Sequence, residues 1–386
     1  MADVVVVGAG PVGMLLAGAL QRRDIDVEVL ERRPAAGDGT RAIGIHAPVL
    51  SALEASGVTD RLLADAVRVH RGEARSNGRL LGTVRFDRLA TRFPFVATLP
   101  QAATEAVLAA DAPEPLRGAN VMAVLPRADA VVVRAGIGGR PVELEAKIVV
   151  VAAGAGGRDL VYRPGAVRRR EYPDRYLMTD AATAAPADPD VAVVHLDRDG
   201  VLESFPLPGG SRRFVAWDDP RADDDPAAQA QRLRDALARR GEHAAADAVQ
   251  AATAFGVRRV VAPRLRNGRI FSIGDAAHEV SPIGGQGMNL GLLDAATLAP
   301  LLASWVTTGS APEVELARWE ARRLRSARRA AALASMNTAL GRPLRAADAA
   351  RRAGVRAMLA PPSAPLFARA YAMGFDADAD RGWSRG

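Results

Sequence analysis

The hydrophobic pattern at the start of the chain predicts a strand, a tight turn and a helix. DVVVV (3–7) is an unbroken run of β-branched residues, as expected of a parallel strand buried on both faces. A glycine-rich turn follows, and MLLAGALQRRD (14–24) then carries apolar residues at helical spacing. DVEVLE (26–31) predicts a second strand. This order is that of a βαβ unit, and it predicts a parallel sheet covered by helices.

The pattern changes to short strands in the middle of the chain. VAVVHLD (191–197), VLESFPL (201–207) and RRFVAWDD (212–219) predict antiparallel strands joined by turns that contain Gly200 and Gly209. Residues 227–252 have the pattern of a helix, and residues 331–386 predict a mostly helical segment. The fold class is therefore predicted to be α/β, with a separate β-rich part.

The first glycine-rich turn has the residues of a dinucleotide-binding fingerprint. Gly8 permits the tight turn, Gly10 lets backbone N–H groups approach a pyrophosphate, and Gly13 allows the helix to pack close to the strand. Glu31 follows Gly13 by 18 residues and stands where an acid accepts hydrogen bonds from the adenosine ribose. This fingerprint leaves NAD and FAD open as alternatives.

A second glycine-rich loop favours the longer cofactor. A predicted strand at residues 269–273 leads into Gly274 and Asp275, and the glycines of residues 284–289 then begin a helix with apolar spacing. The start of such a helix exposes backbone N–H groups and the positive end of the helix dipole. FAD extends beyond NAD by a ribityl chain and a flavin ring. We expect Asp275 to hold ribityl hydroxyls and the helix near Gly285 to face the pyrimidine edge of the flavin.

Several motifs resemble the FAD-dependent monooxygenases of the p-hydroxybenzoate hydroxylase type, the group A aromatic hydroxylases. The resemblance covers GDAAHEVSPIGGQGMNLGLLDAATLAPLL (274–302), TRAIGIHAPVLSALEASGV (40–58), FPFVATLPQAATEAVL (93–108) and FPLPGG (205–210). It implies a reaction in which NAD(P)H reduces FAD and O2 forms a flavin C4a-hydroperoxide. That species hydroxylates or epoxidises an aromatic or polyketide-like small molecule.

The fingerprint and the resemblance together define the expected cofactor-binding residues. Arg41 is expected to contact FAD, and Gln101 to reach its ribityl or phosphate region. The complete set is Gly8, Gly10, Pro11, Val12, Gly13, Glu31, Arg32, Arg41, Gln101, Gly274, Asp275, Pro282, Gly285, Gln286, Gly287, Met288 and Asn289.

The resemblance also predicts the domain organisation. The Rossmann-like FAD-binding domain is expected to be discontinuous, with residues 1–68, 95–163 and 264–330. A β-sheet substrate domain would comprise residues 69–94 and 164–263, and residues 331–386 would form a C-terminal helical segment.

A third motif of the family is altered in this chain. In KIVVVAAGAGGRDLVYR (147–163), Gly156 stands where the family has an aspartate, while Arg163 is kept. In the family this motif serves FAD and is implicated in the use of NAD(P)H. The change keeps open a non-oxygenating FAD-dependent oxidoreductase, and a flavin-binding protein without turnover is the alternative from another class.

The candidate catalytic residues are His195 and Pro282. Pro282 matches the proline that lies beside the flavin in the family. A base that deprotonates a phenol would assist its hydroxylation, and His195 on the strand VAVVHLD is our candidate for that role. Glu203 and Trp217 are further candidates for the wall of the pocket. His46 and His278 lie inside FAD-type motifs, where packing or a place near the cofactor is expected.

Amino-acid composition excludes several kinds of site and binding partner. The absence of cysteine excludes disulfides, thiol nucleophiles and cysteine-ligated metals, and it fits a cytoplasmic protein. The net charge is +7, and the densest basic run, at residues 318–329, has few aromatic residues among its arginines. We therefore expect a solvated helix face there and no nucleic-acid partner. Without a run of about 18 apolar residues we expect no membrane span. We also expect no metal site, and the oligomeric state stays open.

Overall fold

The computed structural model describes residues 1–35, 42–182, 189–344 and 346–379. The strands, in chain order, are β1 (Ala2–Val7), β2 (Val27–Glu31), β3 (Gly44–Ile45), β4 (Val67–Val69), β5 (Arg71–Ser76), β6 (Arg79–Arg85), β7 (Val96–Thr98), β8 (Leu116–Arg117), β9 (Ala119–Pro126), β10 (Val131–Ile137), β11 (Arg140–Val151), β12 (Arg169–Ala182), β13 (Val191–Asp197), β14 (Gly200–Pro206), β15 (Ser211–Asp218), β16 (Thr253–Val261), β17 (Arg266–Asn267), β18 (Ile270–Ser272) and β19 (His278–Glu279). The α-helices are α1 (Pro11–Gln21), α2 (Ala47–Leu53), α3 (Val58–Asp65), α4 (Gln101–Ala109), α5 (Pro226–Ala238), α6 (His243–Ala248), α7 (Gly287–Thr308), α8 (Glu313–Leu340), α9 (Asp348–Leu359) and α10 (Ala364–Tyr371).

The first strand lies at the centre of a mostly parallel sheet. The order is β17-β18-β11-β1-β2-β8, and β1 pairs in parallel with β11 on one side and β2 on the other. The residues from Val4 to Val7 are at most 4% exposed. Burial on both faces explains why this strand is apolar throughout. The predicted Rossmann-like α/β fold is confirmed.

A second, mainly antiparallel sheet is assembled from distant parts of the chain. Its order is β19-β16-β12-β15-β14-β13-β5-β6, with β13 and β5 as a parallel pair. Strands β5–β6 and β12–β16 lie within the ranges predicted for a substrate domain. Strand β19 joins the same sheet from within the range predicted for the FAD-binding domain. The exact division into domains stays a prediction.

The helical regions differ from the predicted pattern in two places. The single helix expected over residues 227–252 is divided into α5 and α6. The division lies at Gly241, whose φ of +82° is a left-handed conformation that favours glycine and ends a helix. Helix α8 runs without interruption across residue 330, the predicted end of the FAD-binding domain, and that boundary stays a prediction.

Helix α7 is a core helix of the protein. Among the described residues it is the one helix that is long and apolar enough to cross a membrane, but 67% of its most apolar window is buried inside the protein. Burial against the rest of the chain accounts for its composition.

Helices α7 and α8 and the end of the described chain meet at a buried ion cluster. The guanidinium of Arg323 is fully buried; its Nε donates to Oδ1 of Asp294 at 2.8 Å. A second nitrogen donates to Asp376 at 2.9 Å and to Asp378 at 3.1 Å. The third donates to the carbonyl of Leu290 at 3.0 Å. Burial lowers the pKa of Arg323, but the surrounding carboxylates outweigh that effect and raise it above its ordinary value.

The other oxygen of Asp294 extends this cluster to the second glycine-rich loop. It accepts hydrogen bonds from the backbone N–H of Gly274 at 3.1 Å and contacts Nε2 of His278 at 2.6 Å. Burial raises the pKa of Asp294, yet His278 and Arg323 together hold it below its usual range. Asp294 is therefore an ionised carboxylate inside the core, and the loop depends on it.

Removal of Arg323 is expected to destabilise the protein strongly. Arg323→Met removes the buried cation that binds Asp294, Asp376 and Asp378, and breaking a buried ion pair in this way costs about 3–5 kcal/mol. The matched control is Arg322→Met on the same helix, whose side chain is 42% exposed and pairs with Asp378 at 3.4 Å. We expect that control to cost less than about 1 kcal/mol. Urea denaturation followed by circular dichroism measures both, and equal losses would contradict the assigned role.

Candidate active site

A cavity of about 720 Å³ connects the parallel sheet to the antiparallel sheet. It is lined by both glycine-rich loops, by one face of β12–β15, and by residues of α9 and α10. The arrangement puts the two predicted cofactor loops and the predicted substrate wall around one continuous space.

The two glycine-rich loops are in direct contact although they are far apart in sequence. The contact is made by Val12, in the first turn of α1. A Cβ added to Gly274 would lie 3.3 Å from Cγ2 of Val12, and one added to Gly291 would lie 2.6 Å from the same atom. Only glycine permits this approach at position 291. Because α1 and α7 pack closely, the two loops form one continuous surface.

The first loop uses its three glycines in different ways. Gly8 has φ of +110°, and a Cβ there would lie 2.7 Å from the carbonyl oxygen of Ala152. A Cβ on Gly13 would lie 2.0 Å from the carbonyl oxygen of Gly8. Gly10 has open space above it, with no atom within 4 Å of an added Cβ, and it lines the cavity. The open position beside the uncapped start of α1 fits a phosphate-bearing cofactor.

The carboxylate of Glu31 closes this end of the cavity. It accepts hydrogen bonds from the N–H of Ala9 at 2.8 Å and from the N–H of Arg33 at 2.9 Å. Burial raises its pKa, but these bonds and the Arg33 guanidinium hold the pKa of Glu31 below its usual range. An ionised acceptor at the end of β2 fits the hydroxyls of an adenosine ribose.

Helix α4 begins at the other predicted contact of this region, Gln101. The side chain of Gln101 lines the cavity and accepts a hydrogen bond from the N–H of Ala42 at 3.1 Å. It also donates to Glu105 at 2.8 Å. Arg41, which we expect to contact FAD, lies outside the described residues.

The second loop leads into α7, and the first residues of this helix border the cavity. Gly284 and Gly285 both have positive φ, and the N–H of Gly285 donates to the carbonyl of Pro282 at 2.8 Å. No side chain caps the start of α7, where Gly287 and Met288 border the cavity. The free N–H groups and the helix dipole favour negative charge at this point.

Thirteen of the seventeen predicted cofactor-binding residues line the cavity. Their contacts with FAD stay predictions. They are Gly8, Gly10, Pro11, Val12, Glu31, Arg32, Gln101, Gly274, Asp275, Pro282, Gly285, Gly287 and Met288.

Three predicted residues support the loops instead of lining the cavity. Gly13 packs against Gly8, as described above. The side chain of Asn289 accepts from the N–H of His46 at 2.8 Å and donates to the carbonyls of Gly44 and Gly285 at 2.8 Å and 3.0 Å. Gln286 donates to the carbonyl of Ala370 at 3.1 Å. These two amides fix the backbone of the second loop.

The altered third motif forms another part of the wall. Gly156 lines the cavity, and no atom lies within 4 Å of a Cβ added there. Its neighbour Arg158 donates to the carbonyl of Asp275 at 2.6 Å and to the carboxylate of Glu279 at 2.8 Å. Arg158 thus ties the third motif to the second.

A buried histidine faces the second loop. A Cβ added to Gly285 would lie 3.7 Å from Nε2 of His46, and the imidazole lines the cavity. Burial lowers the pKa of His46 to about 4. The ring is therefore neutral at physiological pH.

The structure does not bring His195 to the cavity. Strand alternation turns Val194 and Leu196 toward the cavity and His195 toward the opposite face, where its Nε2 lies 3.8 Å from Glu242. The geometry thus gives His195 no route to a substrate in this cavity, and our candidate base is corrected on that ground. Trp217, the other aromatic candidate, donates from Nε1 to Asp174 at 3.3 Å and does not line the cavity.

Glu203 is the acidic side chain that β14 presents to the cavity. It pairs with Val215 on the neighbouring strand, and both residues line the wall. The residue is 5% exposed, and burial raises the pKa of its carboxyl group to about 8. At neutral pH this carboxyl group is mainly protonated.

Two residues of the C-terminal helices complete the wall, and no sequence motif marked them. The hydroxyl of Tyr371 donates to Oδ1 of Asn337 at 3.0 Å. A Cβ on Gly284 would lie 2.9 Å from Nδ2 of Asn337. This contact connects α8 and α10 to the second glycine-rich loop. Within the described residues, no group of three His, Asp or Glu side chains is arranged to hold a metal ion.

The chain belongs to the family described as FAD binding domain, whose pattern matches residues 1–334. It is a member of the FAD-dependent aromatic hydroxylase family, which confirms the resemblance and FAD as the family's cofactor. The chain is 33% identical over 362 residues to 6-methylpretetramide 4-monooxygenase of Streptomyces rimosus, covering 88% of this chain and 63% of that protein. It therefore spans less than two thirds of that relative's length.

Solved structures share this fold. The anhydrotetracycline hydroxylase OxyS from Streptomyces rimosus superposes with a TM-score of 0.77 at 27% identity, covering 96% of this chain and 75% of that one. The p-nitrophenol 4-monooxygenase of Pseudomonas putida superposes with a TM-score of 0.86 at 22% identity, over 100% of this chain and 99% of that one. The second likeness concerns the fold alone.

Two glycine substitutions in the first loop are expected to affect different properties, one the retention of FAD and the other the stability of the fold. Gly10→Val adds a side chain in open space, so the protein should fold but retain no FAD. Gly13→Ala places a Cβ against backbone, so it should lower the stability of the apoprotein itself. Flavin content by absorbance and apoprotein melting temperature separate the two. Normal flavin content in the Gly10 variant would contradict its place in the cofactor groove.

Glu203→Gln is expected to stabilise the protein in a pH-dependent way. Below about pH 4.5 the carboxyl is protonated in both the folded and the unfolded chain. As pH rises toward 8, the unfolded chain ionises while the buried group stays protonated, and wild-type stability falls.

The melting temperature of the Gln variant should therefore exceed that of wild type by an amount that grows between about pH 5 and pH 8. The matched control is Glu73→Gln. Glu73 lines the same cavity but pairs with Arg75 at 2.6 Å. A pH-independent difference for Glu203→Gln would refute the shifted pKa.

Proposed function

We propose that this chain is an FAD-dependent monooxygenase that hydroxylates or epoxidises an aromatic or polyketide-like small molecule, with NAD(P)H and O2. The observation that carries the proposal is the continuous cavity, which joins both cofactor loops to a largely apolar wall on the antiparallel sheet. The family membership and the monooxygenase relatives support the same activity. When bound, FAD supplies the redox chemistry that takes electrons from NAD(P)H and activates O2.

The residues of the first loop would hold the cofactor at its adenosine end. The N–H groups at the start of α1, beside Gly10 and Pro11, would bind the pyrophosphate. Glu31 would accept hydrogen bonds from the ribose, because its carboxylate is ionised and borders the cavity. Arg32 also lines this end, where a cation favours an anionic cofactor.

The residues of the second loop would act at the reactive end. Asp275 of the second loop borders the cavity, and it would hold ribityl hydroxyls. The positive end of α7 at Gly287 favours negative charge, as required when a flavin is reduced. Pro282 lines the cavity beside this helix start, so it would border the space shared by cofactor and substrate.

The antiparallel sheet would exclude water from the substrate. The wall presents side chains such as Met178, Val194, Val201 and Val215, with Leu359 of α9 opposite. A dry wall of this kind strengthens the electrostatic effects of the few polar groups inside it and prevents side reactions with water. We propose a cytoplasmic location, where NAD(P)H is available.

Oxygen uptake by the FAD-loaded protein tests the proposed activity. With NADPH or NADH and a phenol such as 2-naphthol, we expect O2 consumption in proportion to a product that has gained one oxygen atom. Isotope-labelled O2 and mass spectrometry identify that atom, and Gly10→Val without FAD is the inactive control. Flavin reduction with no oxygenated product across a panel of phenols would instead favour the non-oxygenating oxidoreductase.

The same experiment examines the altered third motif. If dithionite reduces the flavin but neither nicotinamide nucleotide does, the protein lacks a group needed to accept electrons from NAD(P)H, and the aspartate replaced by Gly156 is our candidate for that group. Restoration by Gly156→Asp would then confirm that cause, since space for a side chain exists at this position. A protein that binds FAD but consumes neither nucleotide nor O2 would be a flavin-binding protein without turnover.

A further inference from the structure

Glu203 presents a buried polar group at the cavity wall. It is 5% exposed and lines the cavity, and among the described residues no hydrogen bond or ion pair reaches its side chain. Burial is the one cause of its raised pKa, with no contribution from a neighbouring cation. A buried polar group without a partner is unfavourable, so a ligand that hydrogen-bonds to it recovers that free energy.

The cation nearest in the sheet is already neutralised. Arg213 lies on the same face as Glu203, diagonally across the strand pair β14–β15. Its guanidinium makes two hydrogen bonds to the carboxylate of Asp180, at 2.6 Å and 2.7 Å. Arg258, which also lines the cavity, is 46% exposed and lies 3.8 Å from Glu171. Asp180 thus balances the charge of Arg213, and one buried guanidinium nitrogen, Nη1, keeps no hydrogen-bond partner among the described residues.

We propose that Glu203 selects uncharged aromatic substrates, by donating a hydrogen bond from its carboxyl group to a carbonyl or hydroxyl oxygen on the ring system. The inference rests on the proposed function, because it concerns the substrate of the same cavity. It assigns a substrate class: aromatic compounds that carry an oxygen acceptor and lack a carboxylate. Glu203 thereby takes the place beside the substrate that we had expected for His195, with a binding role instead of that of a base.

The titratable groups that face Glu203 can be distinguished from it by their pKa values. Tyr371 of α10 and Tyr176 of β12 are the tyrosines that sense its charge. Burial, followed by Glu203, raises the pKa of Tyr371 to about 12; burial, followed by Asp174 and Glu203, also raises the pKa of Tyr176. Arg213 of β15 and Asp180 of β12 form the hydrogen-bonded ion pair beside Glu203. Helices α8 and α9 contribute neutral side chains here, including Asn337 and Val355.

Binding of two matched probes tests the proposal without turnover. 1-Tetralone and tetralin differ by one carbonyl oxygen, and neither ionises in water. Equilibrium dialysis against the FAD-loaded protein gives their dissociation constants. At about pH 6.5, where Glu203 is protonated, wild type should bind the ketone about tenfold more tightly than the hydrocarbon. Near pH 9.5 that preference should fall about tenfold, because the ionised carboxylate no longer donates.

Two substitutions of Glu203 give different expected results. Glu203→Gln keeps a donor, so the preference for the ketone should remain but lose its pH dependence. Glu203→Leu removes the donor, so the preference should disappear at every pH. Glu143→Gln, whose exposed side chain on β11 pairs with Arg134 and does not line the cavity, should keep the wild-type pH profile of ligand affinity. If the Leu variant does not fold, the Gln variant still decides the question by its pH profile.

Three results would overturn the inference. The first is equal affinity of wild type for the ketone and the hydrocarbon. The second is a Gln variant that keeps the wild-type pH dependence. The third is tighter binding of 1-naphthoate than of 1-tetralone, which would assign recognition to the Arg213 cation. None of these measurements requires oxygenation. A protein that oxygenates phenols but shows one of these results retains the proposed function and loses only the role of Glu203. If the binding results are as expected but no phenol is oxygenated, the role of Glu203 is retained and the proposed monooxygenase activity is lost.

Discussion

The ion pair between Asp294 and Arg323 is the interaction on which the rest of the site depends. Both side chains are fully buried, so each charge needs its partner inside the protein. One oxygen of Asp294 binds the guanidinium, while the other holds the N–H of Gly274 and the imidazole of His278. The geometry of the second loop is therefore coupled to α8. Loss of either charge would disturb packing and cofactor loop together.

The glycines of the two loops, which have no side chain, determine the shape of the cofactor groove as much as the larger residues do. Val12 reaches both Gly274 and Gly291 because neither has a Cβ, and this contact joins the two loops into one surface. Gly8 and Gly13 likewise let backbone approach backbone, whereas Gly10 leaves space for a ligand. Stability and binding thus make different demands on neighbouring glycines of one motif. Glycine allows close backbone packing at positions 8 and 13 and leaves space for a ligand at position 10.

The polarity of the cavity changes from one end to the other. The end near Glu31 and Arg32 carries charges suited to an adenosine and a pyrophosphate. At the other end, burial keeps His46 and Glu203 uncharged near neutral pH, with pKa values of about 4 and about 8. Charge that suits an anionic cofactor is thus present at the adenosine end, whereas at the substrate end Arg213 is paired with Asp180.

The sequence by itself determined the βαβ unit, both glycine-rich loops and the family, because strand burial and tight turns impose local residue patterns. Thirteen predicted residues reach the cavity for that reason. It did not determine that Glu203 faces inward and His195 outward, since strand alternation leaves two choices and the covering helices α5 and α6 decide between them. Tyr371 and Asn337 were likewise undetectable. Their place in the wall results from long-range packing of the C-terminal helices, for which no local pattern exists.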